Sequence, residues 1–381
     1  MVMMLTSART LACLAVQMLL PFATSLAQSR AAAVPSVAIV RDQVTCATCR
    51  ISFHSPIVLE PPPDGFPASP QTVARDAAGN IYTGYGFTVE LMKHSPAGQL
   101  LRHVRPEGDG PGEFRSIQTI AILRGDSIIL IDAQLQRGTV ADSGGKIART
   151  VRMPTPHGSV VRLRDSILVI NSSIRDRRRA GLPLHEFTTT GGIGRSFGDP
   201  APSIRPGHEE DIARVMQRGR GDSLWVVRTS QRYDLELWPL GANAPSRILR
   251  REAPWFPARQ FPAPTVPSGA APAPEVLGVW EDLQRRVWVM IRVADPRWKS
   301  ALARGETVRG HGPARRTYAD PAEYYDTLFE VIDADRGVLL AKHREDGLFG
   351  PTATPNLVLQ MTSARDEEPA FRVLSLTLQA P

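Results

Sequence analysis

Seven side chains stand out as able to hold a ligand: Arg178, His208, Trp255, Arg297, Trp298, Tyr318 and Tyr324. They lie in long loops that between them carry both rings and charges. These stretches are Arg175 to Arg179, His208-Glu209-Glu210-Asp211, Trp255-Phe256, and Arg297-Trp298-Lys299 with His311, Tyr318, Tyr324 and Tyr325. Aromatic faces stack on sugars and planar groups, and guanidinium forks grip carboxylates. The combination suits a small molecule, a glycan or a peptide. The plain alternative is that the rings pack the loops down and the charges are solvated.

Other candidate chemistry is weaker when its spacing is tested. Cys46 and Cys49 form Cys-Ala-Thr-Cys, which in an oxidising compartment reads as a local disulfide. A redox centre needs a βαβ context, haem attachment needs His where Arg50 stands, and a metal pair needs two further ligands. The His208 to Asp211 tract offers metal ligands, but adjacent residues rarely converge on one ion. Asp333-Ala334-Asp335-Arg336-Gly337 resembles the opening of a calcium loop, yet its Gly is one place early and Arg344 stands where the bidentate Glu belongs. Gly191-Gly192-Ile193-Gly194 lacks the strand-then-helix setting of a phosphate loop, and Asn171-Ser172-Ser173 matters only in a glycosylating pathway. No Ser-His-Asp set can be assembled from the sequence. Arg-Gly-Asp-Ser occurs at 124–127 and again at 220–223 in equivalent turns, so geometry rather than adhesion explains it.

Residues 1–27 read as a secretory signal: Arg9, an apolar run from Leu11 to Leu20, Pro21, then Ser25-Leu26-Ala27. Gln17 and Pro21 leave too short a run to span a bilayer. A periplasmic or secreted location follows, with no transmembrane segment after cleavage. The net charge of +7 is a mild excess on 381 residues. It suits an anionic lipid, glycan or metabolite, and export removes nucleic acid as a partner.

The elements that must position these residues are short strands. Six times a tight turn feeds a continuous apolar run: Asp76 to Asn80 before Ile81, Gly125-Asp126-Ser127 before Ile128, and Arg164-Asp165-Ser166 before Ile167. The other three are Gly221-Asp222-Ser223 before Leu224, Asp282 to Arg286 before Val287, and Pro355-Asn356 before Leu357. Runs that are apolar on both faces belong to sheets covered on both sides. A second turn follows in the first five units: Ser95 to Gly98, Asp142 to Gly145, Thr189 to Gly192, Pro239 to Asn243 and Asp333 to Gly337. The sixth lacks it, and the lone strand Ile51 to Leu59 is expected to pair with Phe371 to Leu378 and close a ring. Residues 28–50 form a leader and 51–381 the ring. The stretch Gly108 to Lys146, with Gly108-Asp109-Gly110-Pro111-Gly112-Glu113-Phe114, Ile131-Asp132 and Asp142-Ser143-Gly144-Gly145, resembles an NHL-type repeat of six-bladed β-propellers. That resemblance implies an all-β fold of six four-stranded antiparallel blades.

In such a blade, second-to-third connections and inter-blade links share one face. The long excursions 172–184, 294–326, 198–211 and the proline-rich Ala253 to Pro274 all fall into those two classes, so that face is expected to bind. The first functional reading is an exported binding or scaffolding monomer that recognises a small molecule, glycan or envelope protein, without a cofactor. The alternative is a metal-dependent hydrolase or lactonase. Similar propellers of the gluconolactonase type hold a single divalent cation at the axis with Glu, Asn and Asp, which no motif here identifies.

Overall fold

A computed structural model describes residues 34–67, 69–154, 156–174, 176, 178–179, 181–199, 213–229, 232–256, 270–304, 307–308, 315–316, 321–362 and 370–380. The six expected strand starts become the second strands of six antiparallel four-stranded sheets. Blade 1 runs Thr72–Arg75, Ile81–Tyr85, Glu90–His94, Leu100–Val104. Blade 2 runs Thr119–Ile122, Ile128–Asp132, Arg137–Ala141, Ile147–Arg152, and blade 3 Pro156–Arg164, Ile167–Ser172, Leu184–Thr188, Ile193–Phe197. Blade 4 runs Arg214–Arg218, Ser223–Arg228, Asp234–Pro239, Arg247–Glu252, and blade 5 Glu275–Glu281, Arg286–Ala294, Tyr325–Asp333, Val338–Glu345. Blade 6 takes Leu348–Pro351, Leu357–Thr362 and Ala370–Gln379 from late in the chain and Arg50–Val58 from early in it.

The apolar strands have a direct cause in the packing. Each of the six buried apolar clusters draws side chains from two adjacent sheets, so the cores lie between blades 1 and 2, 2 and 3, 3 and 4, 4 and 5, 5 and 6, and 6 and 1. A strand whose two faces both meet a neighbouring sheet has no solvent side to make polar. Ile81–Tyr85 and Ile128–Asp132 are buried at every position. The cluster between blades 6 and 1 joins Val373 and Phe371 to Ile81 and Met92, and it makes the arrangement a closed ring.

Closure follows the expected pairing. Ile51 sits opposite Leu378 and Phe53 opposite Leu376, and Phe53 places its ring 5.5 Å from Phe329 and 5.6 Å from Phe349. The strand's exit then meets blade 1 at Gly98, whose φ is +91° and whose missing Cβ would stand 2.0 Å from the carbonyl oxygen of Val58. Glycine is required there on both counts.

The leader does more than lead. Ser36–Arg41 pairs in parallel with Arg247–Glu252, giving blade 4 a fifth, outermost strand. The chain then touches the outer strand of blade 5, where the Thr45 amide donates to the Leu339 carbonyl at 2.8 Å. Cys46 and Cys49 are joined, with an S–S distance of 2.03 Å, immediately before the chain enters blade 6. Residues 36–58 thus run along the outside of blades 4, 5 and 6. A parallel pairing has no hairpin turn to announce it, so only the antiparallel half of this segment could be read from the residues.

The glycine-rich link Gly108 to Phe114 connects blade 1 to blade 2 and is tied to blade 2 from within. Buried Asp132 accepts the amides of Arg115, Gln134 and Leu135 at 2.7, 2.9 and 2.9 Å. The Arg137 guanidinium donates to the carbonyls of Asp109, Gly110 and Glu113. A carboxylate that answers three orphan amides lets a link with little apolar content keep one conformation.

Candidate functional site

Element order puts 172–184 and 294–326 between second and third strands, and 198–211 and 253–274 between blades. Because first strands all run the same way along the axis, the described ends of these four excursions lie on one face. Blade 5 carries the largest of them, and the described part of it organises a row of rings. Tyr325 and Tyr324 have centroids 4.6 Å apart, and Tyr324 and Trp298 6.5 Å apart, both edge-on. The Arg292 guanidinium lies 4.6 Å over the Tyr325 ring, and Lys299 Nζ lies 5.6 Å over Trp298. Arg292 is paired in turn with Glu275 on the first strand of the blade. The row therefore runs from the central axis outward over blade 5. Trp298, Tyr324, Tyr325, Arg292 and Glu275 are all half-buried, so the protein fixes each group and leaves part of it open.

Beneath the row, an ion network holds the loop ends. Asp295, Asp326 and Asp346 bring carboxylate oxygens within 4.8 Å of one another. Arg297 bridges Asp295 and Asp346, each at 2.8 Å, and Arg344 pairs with Asp326. Hydrogen bonds from Arg297 hold the Asp295 carboxyl below the usual range, whereas burial pushes Asp326 above it. This is the single group of three or more metal-ligating side chains among the described residues. Two guanidinium groups already answer its three carboxylates, so it is built as an ion-pair network, and none of the three lines the axial channel.

The residues singled out in the sequence do not all meet. Arg297, Trp298 and Tyr324 come together on blade 5. Arg178 is exposed in the blade 3 excursion, beside Asp176, which its amide contacts at 3.0 Å. Trp255 belongs to a different group: its ring lies edge-on 6.2 Å from Tyr233 and 5.9 Å from Phe256, with Lys342 Nζ 4.6 Å above it. His208 and Tyr318 lie outside the described residues. Trp255 roofs a buried ion cluster in which Arg251 donates to Glu330 at 2.8 and 2.9 Å and also reaches Asp42, while Tyr233 donates to Glu330 at 2.9 Å. Burial opposes the charge on Arg251, and the carboxylates of Glu330 and Asp42 outweigh it, raising its pKa.

Sequence reasoning missed the channel itself. A cavity of about 850 Å³ follows the axis and is lined from all six first strands, with Gln71, Gln118, Arg214 and Glu275 toward the loop-rich end. At the other end stand Arg75, Arg162 and Arg218. The signal available was an arginine at or within two residues of the close of three first strands, shortly before the turn.

No known family and no curated protein matches the chain. Solved structures do match in shape. A member of the DUF4221 family from Bacteroides vulgatus is 9% identical, with a TM-score of 0.60 over 87% of this chain and 99% of that one. A protein of Bacteroides fragilis described as exported is 9% identical, with a TM-score of 0.56 over 90% and 100%. Virginiamycin B lyase from Staphylococcus aureus superposes less closely, at 9% identity and a TM-score of 0.42 over 87% of this chain. The likenesses to the two Bacteroides proteins carry the overall fold and no activity. No helix among the described residues is long and apolar enough to cross a membrane.

Proposed function

We propose that this chain is an exported, monomeric propeller whose loop-rich face binds an extended ligand, a glycan or a peptide, laid along the ring row of blade 5. The observation that carries the reading is the continuity of Glu275, Arg292, Tyr325, Tyr324 and Trp298 from the channel mouth to the rim. Successive half-open rings offer stacking surfaces at intervals suited to successive sugar or side-chain units, and their order is fixed by strand pairing between Ala294 and Tyr325. Exported proteins meet such ligands in the envelope, and the likeness to a protein described as exported supports that setting. The NHL-like reading of Gly108 to Lys146 belongs to the same proposal.

A glycan array and a short-peptide array, each probed with the purified chain, test it. The expected result is a defined set of binders that is lost in Trp298→Ala and in Tyr324→Ala while the melting temperature stays within a few degrees. Binders that survive both substitutions would move the site elsewhere. A hydrolase would instead need carboxylates converging on an ion at the axis. The described channel lining offers arginines, glutamines and partnered acids there.

A further inference from the structure

The opposite end of the channel, where the short hairpin turns lie, has a chemistry of its own. Arg75 and Arg218 are the last residues of the first strands of blades 1 and 4, opposite Ile81 and Leu224. Arg162 holds the next-to-last pairing in blade 3, opposite Leu168. Three arginines therefore stand at almost the same level of one cavity.

Their surroundings separate them from ordinary surface charge. Other cations on this face are taken: Arg124 pairs with Asp165 at 3.1 Å, and Arg164 pairs with Asp222. The acids are taken too. Asp76 accepts from Asn80 and Tyr82, Asp126 accepts the Ala77 amide, and Glu281 accepts from Trp225 and the Arg220 amide. Asp222 lies within the field of Arg218, but its carboxylate oxygen is held by Arg164. Arg75 spends one donor on the Gly79 carbonyl at 3.2 Å. The guanidinium groups of Arg162 and Arg218 have no hydrogen-bond or ion-pair partner among the described residues. Arg162 is half-buried and Arg218 exposed, and both line a second recess of about 510 Å³ with Arg164 to Ile167.

From this we infer that the hairpin-side mouth of the channel is a binding site for a small polyoxyanion, carboxylate or phosphate, gripped by Arg162 and Arg218 and faced by Arg75. Guanidinium forks match such oxygens two at a time. The fold supplies the spacing, because the strands bearing Arg162 and Arg218 are neighbours: the Met216 amide donates to Ser159 Oγ at 3.1 Å.

Calorimetric titration of the full chain with citrate and, separately, with inorganic pyrophosphate tests the site and distinguishes the two sources of the anion. At least one probe is expected to bind saturably. Arg162→Gln and Arg218→Gln should each weaken it about tenfold, the loss of one charge-assisted contact pair. Trp298→Ala, which belongs to the other face, should leave affinity unchanged. Circular dichroism checks that the variants fold, and the two single substitutions are read independently. The inference is overturned if neither probe saturates, or if affinity survives both Arg162→Gln and Arg218→Gln.

Discussion

Blades 1 to 3 and blades 4 to 6 are built to one plan and finished differently at the rim. The outer strand of blade 2, Ile147–Arg152, is exposed at every position but Val151, and that of blade 1 is also largely open. The outer strands of blades 4 and 5 meet residues 36–45, which add a parallel strand and then a backbone contact, and the same segment continues into Arg50–Val58, the outer strand of blade 6. Arg251 and Glu330, with side chains wholly excluded from solvent, meet Asp42 of the leader in the covered half. Arg124 with Asp165, between blades 2 and 3, and Arg164 with Asp222, between blades 3 and 4, are exposed clasps between turns. Two halves with the same topology and the same apolar packing between blades thus differ at the rim: one carries a strap and a buried ion cluster, the other leaves its outer strands bare.

The largest expected effect comes from breaking the buried cluster. Arg251→Met leaves Glu330 without its main partner and should cost about 3–5 kcal/mol in chemical unfolding. A loss under 1 kcal/mol would mean that the covered half does not rely on this charge. Acid should act on the bare half. His185 in blade 3 is buried and its pKa is lowered to about 4 from 6.5, first by burial; His94 in blade 1 shifts the same way for the same reason. Between those values the unfolded chain binds the proton that folded His185 refuses, so stability falls as pH drops from 6.5 toward 4 and levels off below. The His185 share is at most about 3 kcal/mol. Hydrogen exchange followed blade by blade should show blades 1 and 3 losing protection before blades 4 and 5, and the reverse order would undo the comparison.

Smaller again is the strap's own staple. Replacing both Cys46 and Cys49 by Ser frees a very short loop and should cost about 2 kcal/mol by chain entropy, with hydrogen exchange rising first along Ser36–Arg41. Unchanged exchange there would show that the pairing with Arg247–Glu252 suffices without it. Least of all, Arg124→Gln should leave the melting temperature where it was, since that pair is largely exposed on both sides. A clear drop would promote the turn clasps from ornament to structure.

The fold was legible because its signals are local. A turn such as Gly221-Asp222-Ser223 and the apolar run after it lie within a few residues, and both faces of that run are apolar because both meet another sheet. The strand Ile51 to Leu59 could be assigned because a sheet short of one strand needs a partner. Ser36–Arg41 could not, since parallel pairing across more than two hundred residues leaves no local mark. The site was legible in part. Arg297, Trp298 and Tyr324 drew notice as rings and charge in a long excursion, whereas Arg292 and Glu275 sit in strands that read as core. Trp255 shared the composition of the site without its location, because composition does not record which blade interface a link crosses. The Arg-Gly-Asp turns hid their role for a related reason: Arg124 and Asp126 serve different neighbours, one in blade 3 and one in blade 1.

The seam in blade 6 also sets an order of events. His54 waits for Thr377, 323 residues further on, before it can make its 2.8 Å hydrogen bond. Until the ribosome has released that distant stretch, five sheets stand in an open arc with an unmated strand at one end. So late a join makes folding slow relative to synthesis and exposes the arc to wrong partners. Whatever holds this chain during its manufacture must therefore guard one edge above all, the one that Arg50–Val58 presents.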